Sequence, residues 1–310
     1  MSDDKKLKEW TVMFFFAGDN SLSPLIVSQL KAIKDAGFHP GVNVLAHYDS
    51  NEPGVPIKIL NVNRKRIKEG QEGRPLRRDG SPPRPFVVGD NRDPFILNMA
   101  DDTITSDDID PDARGFTAEI KKEMDTADSV SALKALKNFI GFCGENYKAK
   151  NYLLFLVGHG LVVGRDTFLP DDNPASSVKL SEMRGALERF NEDIAKDGGT
   201  LQLLALHSCS MSAAEVAYEL RGQAKYMMSS EGISYIGSWP YRQLLMKLFR
   251  NVIRTRGGDP DSIDESTGEA KPLAAGTHVE TVDELMKKLF DLTYNNAKDF
   301  ALSGYSLDLS

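Results

Sequence analysis

The chain has 310 residues, 41% hydrophobic and 27% charged, with a formal net charge of −7. This excludes a disordered or fibrous chain, and the negative balance argues against generic binding to nucleic acid or membrane surfaces. Two cysteines, Cys143 and Cys209, make no disulfide framework. With a polar N-terminus (MSDDKKLKEW) and no apolar run near the ~20 residues of a bilayer span, they predict a cytoplasmic protein in a reducing compartment.

The first apolar run, WTVMFFFAG (Trp10–Gly18), reads as a strand buried on both faces. Ser23-Pro24 then opens a helix closed by Gly37, and VNVLAHYD (Val42–Asp49) is a second strand. Strand, helix and strand with short links predict a parallel α/β sheet. Regularity breaks over residues 55–112. PIKILNVNRKRIKEGQEGRPLRR is a candidate hairpin, Arg64–Arg84 holds eight Lys/Arg against three acids, and Asp90–Asp112 holds eight Asp against one Arg. Neighbouring runs of opposite sign solvate or pair with each other; a basic run alone is a weak nucleic-acid motif.

Asp128 or Ser129 is the expected cap of a helix whose Val130, Leu133, Leu136, Phe139, Ile140 and Cys143 form one apolar stripe, which makes Cys143 a packed residue. NYLLFLVGHG (Asn151–Gly160) is the third strand. A helix from Ser181 to Gly198-Gly199 follows, then the strand LQLLAL, the helix SAAEVAYELRG and the strand AKYMMSSEG. After the helix YRQLLMKLFRNVIRTR, Gly257–Gly276 has little to bury and predicts a mobile loop. Thr281-x-x-Glu284 is a capping box for the last helix, and GYSLDLS reads as a terminal strand, so the C-terminus is expected to be incomplete. No repeat or boundary divides the chain, which predicts one domain over residues 1–310 with variable stretches at 55–112 and 257–276.

The chemistry concentrates where two strands end. Gly158-His159-Gly160 closes the third, and Cys209 closes the fourth, fifty positions on. Parallel strands joined by a crossover helix are usually neighbours, and ligands bind beyond their carboxyl ends. Imidazole and thiol therefore face one cleft, as a Cys/His nucleophilic pair requires. Ser212-x-x-Glu215 reads as a capping box, placing Cys209 near a helix N-terminus, where partial positive charge favours a thiolate.

These segments carry a resemblance. FFFAGDNSL, YLLFLVGHG and LLALHSCSMSAAEVAYELRGQAKYMMSSEGISYIGSWPY are similar to the clostripain family of cysteine peptidases. DSVSALKALKNFI and GYSLDLS support the match. The resemblance implies a caspase-like α/β three-layer sandwich, mostly parallel in its central sheet with helices on both faces. It implies a cysteine endopeptidase, expected to be intracellular from the composition above, with His159 and Cys209 as catalytic residues and an oxyanion hole of the Gly160 and Cys209 N–H groups. It further implies a protein or peptide substrate, no required cofactor, optional Ca2+ at Asp171-Asp172-Asn173, and substrate-pocket residues Ser230, Glu231 and Trp239 beside His207.

His207 departs from the family's D-x-C pattern, in which an aspartate two before the cysteine selects Arg or Lys at the cut. An imidazole supplies no buried negative charge, so weakened basic selectivity is expected unless Asp171, Asp172 or Glu231 replaces it. His39, His47 and His278 fit no zinc spacing and read as structural. The 257–276 loop, preceded by Arg250, Arg254 and Arg256, is a candidate site of proteolytic maturation. The alternatives are a catalytically inactive binding or regulatory module and, less favoured, a nucleic-acid partner of the basic run.

Overall fold

The computed structural model describes residues 7–37, 39–49, 58–62, 119–123, 130–160, 167–172, 175–263 and 270–307. The basic run Arg64–Arg84 and the acidic run Asp90–Asp112 lie outside them. The chain divides into two compact units that alternate along the sequence, residues 1–26, 41–61 and 120–236 in the first, and residues 27–40, 62–119 and 237–310 in the second.

In chain order the elements are β1 (Lys8–Phe16), α1 (Ser23–Lys34), β2 (Val42–Tyr48), β3 (Lys58–Asn61), β4 (Glu119–Glu123), α2 (Ala132–Asn146), β5 (Ala149–Val157), β6 (Thr167–Asp172) and β7 (Ala175–Lys179). There follow α3 (Leu180–Ala195), β8 (Thr200–His207), α4 (Ala214–Glu219), β9 (Tyr226–Ser229), α5 (Tyr241–Thr255), β10 (Gly258–Ile263), β11 (Ala270–Pro272) and α6 (Val282–Leu307). The first unit is an α/β structure built on a seven-stranded sheet in the order β4-β3-β2-β1-β5-β8-β9. β2, β1, β5, β8 and β9 run parallel, and β3 is antiparallel to β2.

The sequence explains why these strands are continuous apolar runs. One face sets Met13, Phe15, Leu154, Leu156, Leu204 and Leu206 in a core with Leu136, Phe139 and Ile140 of α2 and Met183, Leu187 and Phe190 of α3. The other face is buried too: Val12, Phe14, Phe16, Leu153 and Phe155 are at most 2% exposed. The Phe14 and Phe155 rings stack with centroids 4.7 Å apart. Burial on both faces removes the period-two alternation of a half-solvated strand. Cys143 is fully buried on α2, and desolvation pushes its thiol well above the ordinary range.

In the second unit, α5 turns Leu244, Leu245, Leu248, Phe249 and Val252 inward. The Thr281–Glu284 box opens α6: Thr281 N donates to Glu284 Oε2 at 2.8 Å, and Glu284 N to Thr281 Oγ1 at 3.2 Å. Buried Glu280 ties the helices, accepting from Lys247 at 2.7 Å and from Lys288. Among the described residues no helix is long and apolar enough to cross a membrane.

Several expectations need correction. Gly304–Leu307, read as part of a strand, form the last turn of α6; a helix that meets no stop signal gains one hydrogen bond per added residue. Within Gly257–Gly276, β10 and β11 pair antiparallel, Gly258 opposite Pro272 and Ile263 opposite Ala270; hairpin hydrogen bonds need no apolar run. α2 starts at Ala132 after Ser131, and Ser176 Oγ accepts from Ala132 N at 3.0 Å; the expected caps Asp128 and Ser129 lie outside the described residues. α3 starts at Leu180, one residue before the expected Ser181. Of the candidate hairpin, only the first arm is described, as β3.

Candidate active site

The site is assembled at the carboxyl edge of the parallel strands. Phe16 pairs with Val157, and Val157 with His207, so β1, β5 and β8 end level. Gly158 N donates to His207 O at 3.4 Å, which carries the chain past the last strand pair with residues 158–160 beside 208–209. Two glycines make this close passage possible. A Cβ on Gly158 would stand 2.8 Å from Leu169 Cδ2, and one on Gly160 would overlap the Cys209 carbonyl and stand 2.7 Å from Cys209 N. The Gly160 main chain therefore lies against that of Cys209, where any side chain would separate them.

His159 is half-buried and held from two directions. Its carbonyl accepts from Leu169 N at 3.1 Å, and its Nε2 lies 3.3 Å from Ser21 Oγ. Ser21 belongs to the loop after β1. Leu169 is fully buried with φ 52°, a left-handed conformation that a bulky side chain adopts at a cost of about 1–3 kcal/mol.

Cys209 is partly exposed, and its Sγ accepts from Ser234 N at 3.3 Å and faces Ser234 O at 3.7 Å. The next residue, Ser210, has φ 59° and donates from N to Gly232 O at 3.0 Å. Ser212 N donates to Ser230 O at 3.0 Å, and Ser212 Oγ pairs with Ser229 Oγ at 2.7 Å. Residues 230–235 thus form a strap along the cysteine turn. No hydrogen bond joins His159 and Cys209 directly among the described residues; each side chain is engaged by a serine.

The capping box at Ser212 and Glu215 is not formed. Ala213 is the N-cap of the six-residue α4 and makes no side-chain cap, because β9 and the strap take the Ser212 hydroxyl and amide.

His207 is 1% exposed, with Nε2 2.9 Å from Tyr235 O. The ring donates there, and burial lowers its pKa to about 4 against that hydrogen bond, so the imidazole is neutral at pH 7. Ser230 Oγ donates to Gly232 O at 3.3 Å, and Glu231 is exposed on the strap. Asp171 is buried and Asp172 exposed on β6. Asn173 lies outside the described residues, and among those described no three His, Cys, Asp or Glu side chains form a metal-binding group. Trp239 is buried in the second unit.

His39 and His47 are buried, His39 stacked on Phe249, and His47 on Phe15 with Nδ1 3.3 Å from Phe16 O. His278 pairs with Glu284. Of the residues expected from the sequence, the structure brings His159, Gly160 and Cys209 together; Ser21, Leu169 and Ser234, which touch them, were not singled out. The last three sit in ordinary turn or apolar stretches, and only the folded contacts single them out.

Fold and edge define a class: an α/β protein whose parallel strands carry an imidazole and a thiol to one rim. The clostripain family model matches residues 14–263, and the chain belongs to that family. Clostripain of Hathewaya histolytica is 22% identical over 238 residues, covering 71% of this chain and 37% of that protein. The chain thus spans little more than a third of the length of that curated relative. Among solved structures, a secreted C11 cysteine protease from Bacteroides thetaiotaomicron with an irreversible peptide inhibitor shares 18% identity, over 78% of this chain and 54% of that one, with a TM-score of 0.49. An inactive zymogen C11 protease from Parabacteroides distasonis shares 18% identity, over 95% and 81%, with a TM-score of 0.46.

Proposed function

We propose that the chain is a cysteine endopeptidase in which Cys209 is the nucleophile and His159 the proton carrier. Membership of the clostripain family supports a peptidase. The observation that carries the residue assignment is the contact of the Gly160 and Cys209 main chains, which brings His159 and Cys209 to one rim. The Cys209 thiolate attacks the peptide carbonyl carbon, and the oxyanion is received by the Gly160 and Cys209 N–H groups, each such donor being worth about 3–4 kcal/mol in the transition state. His159 gives a proton to the departing amine. Water then cleaves the thioester with His159 as base. No step requires a metal.

The buried neutral His207 supports a pocket without the negative charge that would hold a guanidinium, so cleavage is not confined to Arg or Lys. The competing source of charge is Glu231, exposed on the strap, or Asp171 and Asp172 on β6. The substrate is a protein or peptide. Maturation, where it occurs, falls at Arg256, exposed after α5, rather than at Arg250 or Arg254 within the helix.

A second reading, an inactive binding module, draws on the absence of a direct His159–Cys209 hydrogen bond. A peptide-library cleavage profile of wild type beside Cys209→Ala separates these readings. Cleavage after uncharged or acidic residues, lost in the variant, is expected. Cleavage only after Arg would contradict the pocket assignment, and cleavage that persists in the variant would contradict the nucleophile.

A further inference from the structure

Ser21 has no part in the reaction above, yet its hydroxyl is the one hydrogen-bond partner of the His159 ring among the described residues. The loop that carries it is fixed. Asn20, 4% exposed, donates from Nδ2 to Ala17 O and to Pro170 O, both at 3.0 Å, and its Oδ1 accepts from Leu22 N at 2.9 Å. Asp19 O accepts from Asp172 N at 2.9 Å, and Asn20 O from Ser23 N at 3.1 Å. Ser21 is therefore presented by a turn braced against β6, the same strand whose Leu169 holds the His159 carbonyl. One strand fixes both the histidine backbone and the loop that reaches its ring.

We propose that Ser21 is the positioning residue of His159: its Oγ accepts the Nε2 proton and leaves Nδ1 as the nitrogen that works. This rests on the peptidase reading of His159 and Cys209. A hydroxyl suits the task because Nε2–H donates to it from both neutral imidazole and imidazolium, so the proton on Nε2 stays while the one on Nδ1 cycles. A carboxylate there would add charge and favour the imidazolium over the form that must take a proton.

The proton count closes. Cys209 gives its proton to Nδ1, and the thiolate forms the C–S bond. Nδ1–H then passes to the amine nitrogen as the C–N bond breaks. In the second half water loses a proton to Nδ1 as it attacks and the C–S bond breaks, and that proton returns to sulfur.

The test is single-turnover acylation of the full chain, wild type, Ser21→Ala and Ser21→Thr, with thermal midpoints measured alongside. Two substrates share a peptide that the wild type cleaves, one an amide and one a p-nitrophenyl ester whose phenolate leaves without a proton. Ser21→Ala is expected to slow the amide about tenfold and the ester only about threefold, because a misplaced Nδ1 takes the thiol proton less well with either substrate but must also protonate the departing amine. Ser21→Thr keeps the oxygen and is expected to stay within about threefold of wild type on both. An alanine variant as fast as wild type on the amide, or faster because the bond had held the ring away from sulfur, overturns the assignment. So does a parallel loss on amide and ester, or a threonine variant as slow as alanine. Wild type without Cys209-dependent hydrolysis would remove the peptidase reading itself, whereas an active wild type with an unaffected alanine variant removes only the role of Ser21.

Discussion

An added methyl on Gly160 would overlap the Cys209 carbonyl and stand 2.6 Å from its carbon, against rigid main chain rather than a side chain that could swing away. Gly160→Ala must push the two turns apart, and the loss of aligned N–H donors is expected to lower kcat by about 10²–10³-fold. Steady-state kinetics on the variant checks this, and a kcat near wild type would show that the close passage has no part in the chemistry. Two other residues govern stability. His47 and His207 are fully buried, and desolvation lowers both pKa values from 6.5 to about 4, outweighing the backbone hydrogen bonds to Phe16 and Tyr235. The unfolded chain therefore takes up protons below about pH 6.5 while the folded chain does not. Stability is full above that pH and falls as the pH drops toward 4, by about 2 kcal/mol per imidazole at pH 5. Asp261 and Glu284, whose carboxyls are held below the usual range, lose their contributions only at lower pH, so the window from 6.5 to 5 belongs to the histidines. Urea midpoints at pH 7.5 and 5 should differ accordingly; equal midpoints would mean that these rings are hydrated.

At the scale of elements, the strands were legible because burial on both faces writes itself as unbroken apolar runs such as Val12–Phe16 and Leu153–Val157. Helix ends were less so. The cap of α2 comes from Ser176 on β7, forty-four positions away, and no local pattern announces such a partner. The β10–β11 hairpin escaped for a similar reason. Its Asp261 anchors to Arg250 and Arg254 of α5, contacts between charged residues that look like solvated surface in a sequence. This pairing has a consequence for proteolysis. Arg250 and Arg254 sit in a hydrogen-bonded helix, whereas Arg256 lies in the exposed turn after it. Limited trypsin digestion is expected to cut after Arg256 before either of the others, as read by mass spectrometry. A first cut after Arg250 would show that the end of α5 opens more readily than the turn.

For the whole molecule, the legible part of the site was the part set by topology. Neighbouring parallel strands end on one rim however long the crossover between them, as β5 and β8 do, and the glycines flanking His159 are visible in the sequence. The left-handed turns at Leu169 and Ser210 and the strap that engages Cys209 arise from chain segments meeting in space, so no spacing rule exposes them. Activity depends on those two strands delivering an imidazole and a sulfur that act together. The most direct measurement is intact-mass analysis after treatment with a peptidyl acyloxymethyl ketone, on wild type, His159→Ala and Cys209→Ala. A single adduct is expected on Cys209 of wild type, formed at least about a hundredfold more slowly in His159→Ala and absent from Cys209→Ala. Labelling of Cys209 at the same rate with and without His159 would contradict it.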